Sequence, residues 1–216
     1  MSEQTHEEGT LEATEIITGD LSELFLGGTE NWGPKVLTYF GESNRTILIA
    51  GDIEEVLANC IVSQLLELDS QSNETITVYI NTEGGDVHQA LAIFDTMRTI
   101  KSPIVTLAVG TCMSAGLLLL QGGDIRSTMP RTRFMYHEPL AGGSVFNSES
   151  AAAFAENYEW AKSQAQQIIM ERGSITPRQW ADEFHGRTAM FLTAQEALDF
   201  GLLDTILEYR KEKANG

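Results

Sequence analysis

The chain has 216 residues, 42% hydrophobic and 21% charged, a composition that excludes a disordered protein and gives room for one α/β domain with its own core. Its 31 acidic and 14 basic side chains leave a formal net charge of -17, which excludes unaided binding to nucleic acid or to an anionic membrane, since both need clustered Lys and Arg. No apolar run approaches the roughly 20 residues of a membrane span, and the acidic start MSEQTHEEGTLEATE lacks the basic and apolar regions of a secretory signal, so a soluble protein of the cytoplasm is expected.

Residues 1–30, rich in Glu, Thr and Gly with weak periodicity, read as a mobile arm or a segment ordered by a partner, ahead of a domain over 31–216. Arg45 to Gly51 (RTILIAG) reads as a buried strand. Asp52 then caps a helix whose Ile53, Val56, Leu57, Cys60, Ile61, Gln64 and Leu65 recur at three and four residues. Thr75 to Asn81 (TITVYIN) is a second strand; it stops at Glu83-Gly84-Gly85 and feeds a helix carrying Val87, Leu91, Ile93, Phe94 and Met97. A third strand runs from Ile104 to Val109. Strands alternating with helices in this way predict parallel crossovers.

After a break at Gln121-Gly-Gly-Asp, Arg133 to His137 reads as another strand. Ser148 can cap a helix reaching about residue 172, with Phe154, Tyr158, Ala161, Ala165 and Ile168 on one stripe. Such a helix is roughly 37 Å long at about 1.5 Å per residue. That is too long for a small domain to cover, so it is expected to project and meet a partner; the alternative is a helix wrapped on the sheet. Thr176-Pro177 opens a short helix, and Thr193 with Glu196 forms a capping box. Cys60 and Cys112 lie in apolar segments without metal-ligand spacing, so buried free thiols, no disulfide and no metal are expected.

Three features converge on carbonyl chemistry. The stretch GTCMSAG (110–116) puts Ser114 at a helix start, where unpaired N–H groups and the helix dipole favour developing negative charge. Gly110 and Gly116 permit a tight turn and close approach of a substrate, although small residues here also simply let a helix pack on a sheet. Gly84-Gly85 turns the chain one crossover earlier, and parallel neighbours bring both turns to the same carboxyl edge, where such sheets bind ligands. The N–H groups of Gly85 and Ala115 would converge there as an oxyanion hole, a feature often worth about 3–4 kcal/mol of barrier; the plainer reading is a turn without a ligand. His137 ends a strand just before Pro139, rigid enough to hold a general base, whereas His6 lies in the arm, His88 on a helix with a ring that reads as solvated, and His185 in a polar stretch. No G-x-G-x-x-G and no GK[ST] occurs, so no phosphate-cradling loop and no cofactor is expected.

Five ordered stretches carry a family resemblance: Tyr79-Ile-Asn-Thr-Glu-Gly-Gly against Y-I-N-S-P-G-G; Ala92-Ile-Phe-Asp-Thr-Met; Gly110-Thr-Cys-Met-Ser-Ala-Gly against G-x-A-A-S-M-G; Met135-Tyr-His-Glu-Pro-Leu-Ala-Gly-Gly against M-I-H-Q-P-x-G-G; and Phe191-Leu-Thr-Ala-Gln-Glu-Ala-Leu-Asp-Phe-Gly-Leu-Leu-Asp. Over about Thr38 to Leu207 the chain resembles the serine peptidases of the Clp protease family. The resemblance implies an α/β, ClpP/crotonase-like fold, a superhelix of repeated β-β-α units with a projecting handle helix. It implies Ser114 as nucleophile, His137 as general base and the amides of Gly85 and Ala115 as the oxyanion hole. It also implies a homo-oligomer of two stacked heptameric rings that hydrolyses polypeptides fed to it by a separate AAA+ unfoldase.

The chain departs from the pattern at one decisive place. The acid of the resembled triad stands two residues before the aromatic of F-L-S-A, and that place is Ala189. A shift of the preceding loop would bring in Glu183, Asp182 or His185, among which spacing does not choose. Two other functions compete with a peptidase: a ring subunit that has lost its acid and serves assembly, and an acyl-CoA enzyme of the crotonase kind, which would use the paired amides without Ser114.

Overall fold

The computed structural model describes residues 45–139 and 148–209, the side chains of 148–150 excepted. The expected arm at 1–30 and the glycines 142 and 143 lie outside the described residues. Among those described, seven strands form one sheet. Strands β1 (Thr46–Ala50), β2 (Ile76–Thr82), β3 (Ile104–Met113), β4 (Ile125–Thr128) and β7 (Thr205–Ile206) lie side by side in that order, every pairing parallel. Helices α1 (Glu55–Gln71), α2 (Val87–Thr99) and α3 (Ala115–Gln121) make the crossovers. They bury Leu57, Ile61 and Leu65, then Ala90, Ile93 and Met97, then the whole of α3, against Ile47, Ile49, Val78, Ile80 and Ala108 of the strands. This is the α/β architecture that the alternating pattern predicts.

β3 is longer than its apolar run suggests, and its length organises the rest. Between Ile80 and Thr82 the partner strand β2 advances two residues while β3 advances four, from Ala108 to Cys112. Gly110 takes the excess at φ +64, close against the side chain of Asn81, whose Oδ1 accepts the N–H of Thr111 at 3.2 Å. A glycine at positive φ looks like the end of a strand in a sequence; here it is a bulge within one. Before the bulge β3 pairs with β4, and after it with β5 (Arg133–Tyr136), which in turn pairs antiparallel with β6 (Met190–Leu192).

Behind β5, Tyr136 packs edge-on against Trp180 and Phe184, each ring centroid 5.3 Å away, and Phe184 meets Phe200 at 5.1 Å. Trp180 and Phe184 belong to a π-helical turn (Trp180–Phe184) that continues the short α5 (Pro177–Gln179), itself opened by the capping box of Thr176 and Gln179. The expected capping box, Thr193 with Glu196, opens α6 (Ala194–Asp199).

Helix α4 (Ser148–Arg172) has the predicted bounds, but its core-facing stripe begins later than the sequence suggests. Ala161, Ala165 and Ile169 are buried, whereas Phe154 is 41% and Trp160 48% exposed, so the first half of the helix stands clear of the core. Two further expectations fail. Glu54, not Asp52, precedes the first turn of α1 and caps it with no side-chain bond. The reason is that Ile53 is pulled into a bridge with Gly85, its N–H donating to Gly84 O and its carbonyl accepting from Asp86 N, both at 2.8 Å. Cys60 is exposed on the outer face of α1, one turn beyond the exposed Val56, and only Cys112 is buried.

The C-terminal end of α4 is held by two arginines. Buried Arg126 donates through Nη1 to Gln121 Oε1 and Arg172 O, both at 2.7 Å, and through Nε and Nη2 to the carboxylate of Asp204. Arg172 donates to the carbonyls of Gln121 and Gly123, so helix-end acceptors that would lack partners are met by charged donors. The Arg126 guanidinium keeps the Asp204 carboxyl below the ordinary carboxylate range. Its stabilisation is therefore fully present above about pH 4 and is lost as pH falls through the lowered folded value. Arg126→Met is expected to cost about 3 kcal/mol, because it strands buried acceptors, and to flatten the acid limb of the stability profile; urea unfolding from pH 7 down to pH 3 checks both.

Candidate active site

The site grows from two turns at the carboxyl edge of the sheet. At the end of β2, Thr82 Oγ1 donates to Gly51 O at 2.6 Å and accepts from Gly84 N at 2.9 Å, which fixes the turn from a buried position. Gly84 and Gly85 adopt φ +117 and +151, and a side chain on Gly84 would put its Cβ 2.7 Å from the Cβ of Ser114. Only glycine lets the two turns meet.

Ser114 itself has φ 51 and ψ -121, a conformation that costs a residue with a side chain about 1–3 kcal/mol. The surroundings enforce it: Ser114 N donates to Met135 O at 2.8 Å as the last rung toward β5, while Ser114 O already accepts from Leu117 N at 3.0 Å as α3 begins. Passing from strand to helix in one residue turns the side chain outward, as a nucleophile elbow does. Beside it, the N–H groups of Gly85 and Ala115 have no acceptor among the described residues.

β5 delivers His137. Met113 is level with Met135 and Ser114 N donates to Met135 O, so β5 brings His137, two residues past that last pair, out at the same edge as Ser114. Tyr136 turns into the aromatic cluster, and His137 turns to the opposite side. There it lines a cleft of about 420 Å³ together with Ser114, Gly84, Gly85 and, from α4, Phe154, Tyr158 and Ala161. Among the described residues no hydrogen bond joins Ser114 Oγ to the His137 ring.

The three residues considered for the third position face elsewhere. Asp182 pairs with Arg178 at 3.5 Å, Glu183 with Arg187 at 3.8 Å, and His185 is exposed; none of them lines the cleft. The π-helical turn buries Trp180 and Phe184 and so directs 182 and 183 outward. Ala189 is exposed one residue before β6. The carboxylates that do line the cleft are Asp52, Glu83 and Asp86, the last engaged as the N-cap of α2 through Gln89 N at 3.0 Å.

His88 reaches the cleft as well, where the sequence suggested a solvated ring. It stacks on Trp160 with centroids 5.5 Å apart, and its Nε2 lies 3.2 Å from Asn157 Nδ2, so α2 and α4 meet across it. Its position three residues after Gly85, in the first turn of a helix starting at the ligand edge, was the available signal. Cys112 is excluded as a nucleophile: burial pushes its thiol pKa strongly up, and the Sγ donates to Gly116 O at 3.3 Å.

A family model described as Clp protease matches residues 37–210. The ATP-dependent Clp protease proteolytic subunit of Deinococcus radiodurans is 35% identical over 189 residues, covering 80% of this chain and 85% of that protein. The proteins of the same description from Streptococcus agalactiae and Streptococcus sanguinis are 34% and 33% identical, each covering 76% of this chain and 85% of the relative.

The two turns yield a contrast between glycines. A Cβ on Gly85 would fall 2.4–2.8 Å from the backbone of Ile53, whereas at Gly186, also at positive φ, it would meet nothing within 4 Å. Gly186→Ala is expected to cost about 1 kcal/mol, the left-handed penalty alone, and Gly85→Ala at least about 3 kcal/mol, because backbone must move; denaturant midpoints of the two variants test the difference.

Proposed function

The chain belongs to the Clp protease family, and from that premise we propose that it hydrolyses peptide bonds through an acyl-enzyme on Ser114, with His137 as general base and the amides of Gly85 and Ala115 as the oxyanion hole. The observation that carries this reading is the strained Ser114 beside two backbone donors without acceptors, on a cleft that His137 also lines. Strain at a half-buried serine that lines a cleft, next to two backbone donors without acceptors among the described residues, has no use in packing.

The chemistry follows from these groups. His137 takes the Ser114 proton as Oγ attacks the carbonyl carbon, and the two N–H groups stabilise the oxygen as it becomes negative. The imidazolium returns the proton to the leaving amine, which departs as the C–N bond breaks. Water then repeats the sequence on the ester and releases Ser114. Catalytic hydrogen bonds of this kind commonly tighten when substrate binds, so the Ser114–His137 bond is expected to form with the carbonyl in place. For Asp182, Glu183 or His185 to orient the imidazole, the segment 182–189 has to shift toward it. Without that shift the turnover is expected to be slow, since losing the acid of such a triad commonly costs about 10⁴-fold.

The relatives are named as proteolytic subunits of an ATP-dependent protease, and this chain has no phosphate-cradling motif. The reading therefore extends to a separate AAA+ unfoldase as ATPase partner, unfolded polypeptide as substrate, and assembly of this chain with its own copies as two stacked heptameric rings in the cytoplasm. The half-exposed Phe154 and Trp160 on the free part of α4 suit burial between copies. Residues 31–216 form the peptidase domain in this reading, and 1–30 an arm ahead of it; the family match from residue 37 is in keeping with that division. No helix among the described residues is long and apolar enough to cross a membrane.

One observation favours a second reading, a ring subunit without activity: Ala189 stands at the acid position, and the nearby acids pair outward. A fluorophosphonate probe decides between the two. A peptidase labels stoichiometrically on Ser114, Ser114→Ala abolishes the label, and His137→Ala slows it about 10³-fold or more. An assembled particle that takes no label is the scaffold.

A further inference from the structure

Glu138 follows His137 directly and faces the other way. His137 and Pro139 both line the cleft, whereas the carboxylate of Glu138 passes behind the segment, where Oε2 meets Lys162 Nζ of α4 at 2.9 Å and Oε1 accepts the N–H of Gly186 at 2.9 Å. The Glu138 N–H in turn donates to Arg187 O at 3.4 Å. The two charged side chains are 19% and 22% exposed, so solvent screens the pair less than it does a free surface salt bridge. Gly186 presents its amide from a left-handed turn, φ +72. Where the resembled motif reads H-Q-P, this chain has H-E-P, a carboxylate set opposite a lysine.

We propose that Glu138 is a positioning residue for His137: it clamps the main chain just beyond the base to helix α4 and to the 186–187 turn, and so holds the imidazole over Ser114 from behind. The inference rests on His137 being the general base. Among the described residues the His137 ring has no hydrogen-bond partner to orient it, so its aim depends on the backbone that carries it. On one side that backbone is fixed by the β3 and β6 ladders, which reach Ser114 N–Met135 O and Tyr136–Met190. On the other side it is fixed by Glu138. Lys162 adjoins Ala161, a residue of the cleft wall, so the same clamp sets the distance between the base and the wall that faces it. A carboxylate next to the imidazole in sequence thus supplies rigidity where a carboxylate beside its ring would supply a hydrogen bond.

The test uses the full chain in its native assembly. The second-order rate of Ser114 labelling by a fluorophosphonate, and kcat and KM on a fluorogenic peptide, are measured for Glu138→Ala, Glu138→Gln and Lys162→Met. A base displaced by a fraction of an ångström loses rate, not affinity, and a full 1 Å is worth up to about 100-fold. Glu138→Ala and Lys162→Met are therefore expected to lower labelling rate and kcat about 10-fold, with KM within about twofold of the unaltered protein. Glu138→Gln, whose one amide oxygen can keep the bond from Gly186 but whose NH2 cannot accept from Lys162, is expected to lose less than Glu138→Ala, about threefold. Labelling of Glu138→Ala at the unaltered rate overturns the inference, as does a loss confined to KM, or a glutamine no better than alanine. Should Glu138→Ala not fold, Lys162→Met breaks the same clamp from the helix side, keeps its aliphatic stem, and is read by the same criteria. His137→Ala separates the two levels: if it labels normally, the base reading falls and this inference with it, whereas slow His137→Ala beside normal Glu138→Ala removes the clamp alone.

Discussion

The site depends on a close approach of two pieces of chain, the turn at Gly84 and the turn at Ser114. No side chain intervenes, since a Cβ on Gly84 would stand 2.7 Å from that of Ser114. That contact sets the spacing between the hydroxyl and the amide of Gly85, and it follows from two parallel strands ending at the same edge with glycine at the end of one. Thr82 supports it from below by linking Gly51, Gly84 and its own strand, and Ile53 from the side through its paired bonds to the turn. Catalysis by preorganised amides requires donors that do not move when charge appears. A turn locked on three sides suits the role proposed for the Gly85 amide.

The other half of the site depends on β3 having two partners in succession. If β3 ended at Val109, as its apolar run suggests, β5 would have no ladder to join and His137 no fixed height relative to Ser114. The bulge at Gly110 carries the strand through Met113, and the register Met113 to Met135 brings Ser114 and His137, 23 positions apart in the chain, to one edge. The aromatic cluster of Tyr136, Trp180, Phe184 and Phe200 then supplies the weight behind β5, each such pair typically adding about 0.5–1.5 kcal/mol beyond burial. α4 closes the far wall.

Much of this was legible in the amino-acid order. Strands rich in Ile and Val, bounds of 148–172 for the long helix, a short helix opening at Thr176-Pro177, the capping box of Thr193 with Glu196 and the placing of Ser114, Gly85 and Ala115 at one edge all follow from local patterns with a short-range cause. What was not legible has a tertiary cause. β6 and β7, three and two residues long, exist because β5 and β4 offer them partners; nothing in MFL or TI announces a strand. Asp52 reads as a cap until Ile53 is seen bonded across to the next crossover. Cys60 keeps the helical period of α1 yet falls on the face that nothing covers. His88 looked idle because Asn157 and Trp160, which engage it, lie about seventy residues downstream. The acid is the instructive case, since spacing offered three candidates and the packing of Trp180 and Phe184 turns the segment that bears them toward solvent.

The position of β7 bears on how the molecule comes into being. Strand β4 obtains its second neighbour only from Thr205 and Ile206, and the guanidinium of Arg126 finds its carboxylate in Asp204, 78 residues later. A ribosome delivers the chain from its N-terminus, so until residues 204–206 emerge the sheet has a raw edge and the Arg126 guanidinium lacks its carboxylate. Arg126 therefore waits through 78 residues of synthesis for its carboxylate, and the edge of the sheet at β4 is sealed only once the segment from Asp204 to Ile206 has been made.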